Sequence, residues 1–171
     1  MKIWKTIKGM GIDFCKCGIA GWCLEVMFTA AESIMAGDMR LMGKTSLLMF
    51  PIYGMGAVLR PVAVGVDRWI NVGSGQRRER QSGIVGAARD SMRRKCDRLA
   101  LGDRIWRHGM LYMVLIFIGE YISGSWLKSK GICPWDYSSY RTNIHGVIRL
   151  DFAPLWFGTG LLFEQITKKK I

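Results

Sequence analysis

Apolar residues gather in four long blocks, at about 17–36, 46–66, 109–127 and 147–166, with polar stretches between them. A helix rises about 1.5 Å per residue, so about 20 residues cross a hydrocarbon layer about 30 Å thick. Each block comes near that length. The pattern predicts an all-α, integral membrane four-helix transmembrane bundle forming a single membrane domain over 1–171. The third block is the cleanest, with the run MLYMVLIFIG and a single acid, Glu120. Pro51 and Pro61 interrupt the second, which also holds Arg60, and the first contains Glu25 and Glu32. In the fourth only residues 152–163 are free of charge, so a re-entrant or interfacial segment is the alternative there.

The polar stretches assign an orientation. Four Lys lie near the amino end, ten Lys/Arg fall between Trp69 and His108, and Lys168, Lys169 and Lys170 close the chain. The two opposite loops hold only Arg40 and Lys44, then Lys128, Lys130, Arg141 and Arg149. Cytoplasmic loops carry the excess of Lys and Arg, so both termini and the 69–108 loop are expected on the cytoplasmic side of a cell membrane. Within that loop Val85, Ala88, Met92, Cys96 and Leu99 recur at helical spacing among Arg89, Arg93, Arg94 and Arg98. This reads as a basic amphipathic helix on the inner surface, contacting anionic lipid headgroups or a protein partner. An ordinary positively charged loop with no ligand is the simpler reading. Gly37-Asp38, Gly43, Gly131 and Pro134 supply turn signals in the outer loops, and Trp69, Trp106 and Trp126 fall at block boundaries, where amphipathic rings are favoured.

Composition sharpens this picture. The chain has 171 residues, half of them hydrophobic, and a net charge of +12. A soluble nucleic-acid binder could carry the charge but not the long uncharged runs beside it, so nucleic acid is excluded as a partner. Lys2, Lys5 and Lys8 before an apolar run resemble a signal peptide, but that run is long and contains Glu25, which favours a retained span. The five cysteines do not form a disulfide framework, and Cys15-x-Cys17 lacks a second ligand pair for a metal.

Charged side chains inside a span cost about 2.5–3.5 kcal/mol on insertion scales and need a partner or a wet cavity. Glu25 lies eight residues from the inner end of its block and Arg60 six from the same side, a depth difference of about 3 Å. An inner polar cluster of Glu25, Arg60, His108 and Glu164 is therefore expected, either a structural ion pair or a site for a charged ligand or protons. Glu25 and Glu32 share one helix face. Glu120 stands alone at mid-depth and is the best single functional acid; its neighbour Tyr121 reads as a donor to a nearby carbonyl. Gly43-Lys44-Thr45 imitates the end of a phosphate loop, but position 38 is Asp where Gly is required, so ATP binding is rejected. His108 and His145 fall on opposite sides of the membrane, and no catalytic triad is visible. Asp136 organises a turn. The chain reads as no enzyme and needs no cofactor.

Several motifs stand in a characteristic order: Gly21-Trp22-x-x-Glu25, Pro51-Ile52-Tyr53-Gly54-x-Gly56-Ala57, His108-Gly109-x-x-Tyr112 and Glu120-Tyr121-x-x-Gly124. Cys133-Pro134-Trp135-Asp136-Tyr137-Ser138 and Asn143-x-x-Gly146-x-Ile148-x-Leu150 follow. Over about residues 14–165 the chain resembles the ABC-transporter type IV family, small bacterial membrane proteins with transmembrane relatives in animals. It departs from the common pattern at Asp38–Ser46, which is closer to the animal relatives. The resemblance implies a permease-like transporter component of unnamed substrate, working as a homo-oligomer or with another membrane subunit, and with an ATPase encoded separately. A non-transporting adaptor that binds lipid or protein through its basic loop is the alternative.

Overall fold

The structure is a computed structural model that describes the backbone of residues 2–72 and 86–168 and the side chains of 8–70 and 101–168. Helix α1 runs over Lys2–Met35. The chain then returns through α2 (Met49–Gly54), a 3-10 turn (Met55–Val58) and α3 (Leu59–Val72). Helix α4 spans Gly86–Ser129. A two-stranded antiparallel hairpin, β1 (Asn143–Ile144) and β2 (Ile148–Arg149), and a 3-10 turn (Leu150–Phe152) lead into α5 (Ala153–Thr167).

Three helical stretches are long and apolar enough to cross a membrane: Lys8–Met35, Met49–Ile70 and Leu101–Ser129. No more than 28% of the apolar window in any of them is buried within the protein. Met27, Trp69, Ile122 and Trp126 are all more than half exposed. So much outward apolar surface suits contact with lipid rather than water, and the chain is a membrane protein.

The element boundaries depart from the sequence pattern for physical reasons. Nothing in residues 2–16 breaks a helix, so α1 begins well before residue 17, and Asp13 and Lys16 pair across one turn at 3.7 Å. Pro51 sits in the first turn of α2, where its missing N–H costs nothing. The irregularity lies instead at Met55–Val58, one turn before Pro61, which has no N–H to donate to the Ala57 carbonyl and whose ring clashes with it in a regular α-helix. The basic helix is not a separate element. No proline interrupts 86–129, and Gly102, at the junction of the basic and apolar parts, costs only about 1 kcal/mol, so this segment is continuous with the third apolar block.

The fourth block shortens most, and with its hairpin the chain is not purely α-helical. His145 and Gly146 take φ of 53° and 69°, reversing the chain so that Ile148 pairs with Ile144 and Arg149 with Asn143. Residues 147–149 are thereby spent on the turn and its second strand. Pro154 then starts α5, whose 15 residues reach only about 22 Å.

Helix α1 packs chiefly on α2, and α4 on α5. Glycines make both approaches close: a Cβ on Gly21 would strike the Tyr53 ring, and one on Gly160 would strike Tyr112. The core between the pairs is built from Cys17, Ala57, Leu59, Ala63, Tyr112 and Phe163.

Candidate ligand cavity and inner polar cluster

Two polar regions occupy opposite ends of the helical body. The first gathers at the end of the helices where α5 terminates. His108 and Tyr112, one turn apart on α4, face Asp67 on α3 and Glu164 on α5. His108 is 4% exposed, with Nε2 2.9 Å from Asp67 Oδ2 and Nδ1 3.0 Å from Glu164 Oε2. Only a doubly protonated ring can donate to both carboxylates at once. The Tyr112 hydroxyl donates to Glu164 Oε2 at 3.0 Å, Arg107 reaches Asp67 at 3.1 Å, and Arg104 stands 3.8 Å from Glu164.

The expected pairing of Glu25 with Arg60 is absent. Arg60 Nη1 donates instead to the Thr167 carbonyl at 2.7 Å, at the C-terminal end of α5, where the unsatisfied carbonyls and the helix dipole both favour a cation. Glu25 lies in the other half of the bundle, accepting from the Thr45 hydroxyl at 2.9 Å. Equal depth does not place two side chains on facing sides of their helices, and α1 starts earlier than the depth count assumes. The cluster therefore contains His108 and Glu164, with Arg60 on the same helix end and Glu25 elsewhere.

The second region is a cavity of about 510 Å³ between α1, α2, α4 and α5, bordered by residues 44–46 and 134–137. Its wall carries Glu25, Glu32, Glu120 and Asp136 as acids and Lys44 as the single base. Phe28, Tyr53, Trp135, Tyr137, Phe152 and Trp156 supply aromatic surface. Two of the acids are already neutralised: Glu32 by Arg149 at 3.3 Å and Asp136 by Lys128 at 3.6 Å. Glu120 lies beside the Trp156 indole without a well-formed hydrogen bond to it. Its Oε2 and the indole Nε1 are both shut off from solvent with no partner among the described residues.

The loops around the cavity are tied down by polar contacts. Thr29 Oγ1 accepts from Lys44 N–H at 2.8 Å, Ser33 donates to Met42 O at 3.0 Å, and Trp22 Nε1 donates to Ser46 O at 3.0 Å. Residues 42–46 are thus strapped along α1, and Gly43 is needed because a Cβ there would meet the Val26 carbonyl. Arg149 stacks over Tyr140, 3.8 Å from its ring centre, and holds Asp151 at 2.8 Å. Asp136 accepts from the Ser138 hydroxyl at 2.6 Å and from its N–H at 3.1 Å, forming a local turn; these bonds hold its carboxyl below the usual range. Tyr121 meets His145 Nδ1 at 3.0 Å rather than a backbone carbonyl.

Arg89, Arg93, Arg94 and Arg98 belong to the N-terminal part of α4, and their side chains lie outside the described residues. Among the described residues no three His, Cys, Asp or Glu side chains converge to hold a metal ion. Sequence reasoning missed Asp67, Tyr112 and Arg149 as site residues. The spacing of His108 and Tyr112, one turn apart, was the available signal for Tyr112.

The family model described as "Putative ABC-transporter type IV" matches residues 12–171, which include every residue of both regions. No solved structure matches the chain.

Proposed function

The chain belongs to that Putative ABC-transporter type IV family, and on this premise we propose that it is a ligand-binding membrane subunit of a transport system. The observation that carries the reading is the cavity of about 510 Å³ inside the helical body, with the unpartnered Glu120 carboxylate in its wall. Glu120 stands nine residues before the end of α4, about 14 Å along the helix and near mid-depth of a bilayer. An ionisable group at that depth needs a compensating partner or water, and a cavity large enough for a small organic molecule provides room for either.

In this reading the chain is one membrane domain that crosses four times, α5 making the short fourth span, with both termini cytoplasmic. The uneven distribution of Lys and Arg supports that orientation. The cavity then opens toward the outer loops, and the His108 cluster lies near the inner surface. One copy encloses a pocket rather than a through-path, so transport requires several copies or a second membrane subunit, with an ATPase on a separate chain. No enzymatic step is assigned. The adaptor reading draws on the arginines of 89–98, and it requires the cavity to be dry.

A cysteine-free background with single cysteines at positions 25, 52 and 120 separates the two readings. Labelling by a small aqueous reagent in folded, reconstituted protein is expected at all three positions. Complete protection would mean a sealed bundle and would leave the adaptor in its place.

A further inference from the structure

The wall of the cavity also narrows the chemistry of what enters it. Four acidic side chains line it, and two of them are already paired with Arg149 and Lys128. Among the described residues Glu25 meets the Thr45 hydroxyl, and Glu120 Oε2 has no hydrogen-bond partner. The lone base, Lys44, is exposed at the rim. Beside Glu120 the Trp156 side chain is 9% exposed, and its N–H is equally unpartnered. Burying a carboxyl oxygen and an indole N–H without hydrogen bonds is costly. Tyr53, Tyr137 and Trp135 line the same space, and aromatic faces attract positive charge.

We propose that this cavity is a binding site for a protonated organic amine with an apolar body, its ammonium N–H donating to Glu120 and its hydrocarbon lying among Phe28, Tyr53, Tyr137 and Trp156. The inference rests on the transport reading for the cavity and adds the ligand class. An amine brings a hydrogen-bond donor and a positive charge together to this acidic, aromatic wall. A neutral alcohol supplies only the donor, and a carboxylate supplies neither. The cavity volume of about 510 Å³ falls within the range that encloses small organic ligands, well above what a bare metal ion requires.

The test uses the full chain in liposomes, cysteine-free except for Ile52→Cys, whose position lines the cavity. The rate of modification by a small aqueous thiol reagent is measured alone and with methylamine, phenethylamine or decylamine. The controls are 2-phenylethanol and 3-phenylpropanoate. At least one amine is expected to slow labelling tenfold or more, and the two controls are expected to leave it unchanged. Glu120→Gln should abolish the protection while leaving the unfolding temperature unchanged or higher, since the described residues give this acid no counter-ion to lose. Protection by no amine, equal protection by the alcohol or the acid, or protection that survives Glu120→Gln overturns the proposal. If the thiol of Ile52→Cys never labels in folded protein, the transport reading falls with it. Labelling that amines do not slow overturns the ligand class alone.

Discussion

His108 is held between two carboxylates contributed by different helices, and its loss would leave Asp67 to Arg107 and Glu164 to Tyr112 and Arg104. His108→Phe keeps the ring volume and removes both contacts. It should lower stability by about 1–3 kcal/mol in detergent unfolding, the scale for losing hydrogen bonds at buried polar groups. Tyr112→Phe removes one hydroxyl from Glu164 and should cost about 1 kcal/mol. Equal, negligible losses in both variants would mean that the cluster contributes nothing to holding α3, α4 and α5 together. Arg60 behaves differently from what its depth suggested. Arg60→Ala removes a cap from the Thr167 carbonyl and strands no acid, so a loss of about 1–2 kcal/mol is expected. His108, Glu164 and Glu120 were legible because an ionisable side chain in or beside an apolar run stands out against its neighbours. Asp67 was not, because it falls just past the apolar block, beside Arg68, where a charge attracts no notice. The partner of Glu25 was illegible for another reason: depth can be counted along a sequence, but the direction a helix face turns cannot.

Individual elements carry their own tests. The α4–α5 contact closes over Gly160, where a Cβ meets the Tyr112 side chain, whereas Gly158 on the same helix has open space around it. Gly160→Val should therefore cost about 1–3 kcal/mol by overpacking, and Gly158→Val should cost clearly less. Similar losses would show that helix propensity rather than packing governs the effect. The outer loop has a pH signature. Asp136 is held below its ordinary value by the Ser138 hydroxyl and N–H, and Asp151 by Arg149 and Thr142. A depressed folded value means that the stabilisation is present above the ordinary value of 3.8 and is lost as pH falls through the lowered one. Proteolysis of the 130–152 loop should thus stay constant through mild acid and rise only below that value. Asp136→Asn should cut the size of that rise. Helices α1 and α4 were legible as apolar blocks but not in length, because polar residues that end a membrane block do not end a helix. The hairpin was hidden because its second strand, Ile148–Arg149, sits inside what hydropathy alone counts as part of a span.

Across the whole molecule, the two polar regions stand at opposite ends of one helical body, which makes orientation measurable. Single cysteines at Met39 and Ile132, both exposed, should react with an impermeant reagent from outside intact cells, and one at Lys168 only after permeabilisation. The reverse pattern would put the cavity mouth in the cytoplasm. The three helices long and apolar enough to cross a membrane were plain in the sequence because lipid demands continuous apolar surface. The cavity was not, because its wall is assembled from four helices and two loops that hydropathy scores separately. The strap at 42–46 has a consequence for how such chains diverge. Its ties at residues 42, 44 and 46 use main-chain atoms, and the side chains that grip them, Thr29, Ser33 and Trp22, all reside on α1. Apart from Gly43, whose smallness the close approach requires, the strap can change its letters and keep its path. This mode of attachment gives a testable expectation: relatives should vary freely from Asp38 to Ser46, Gly43 apart, while Trp22, Thr29 and Ser33 change little.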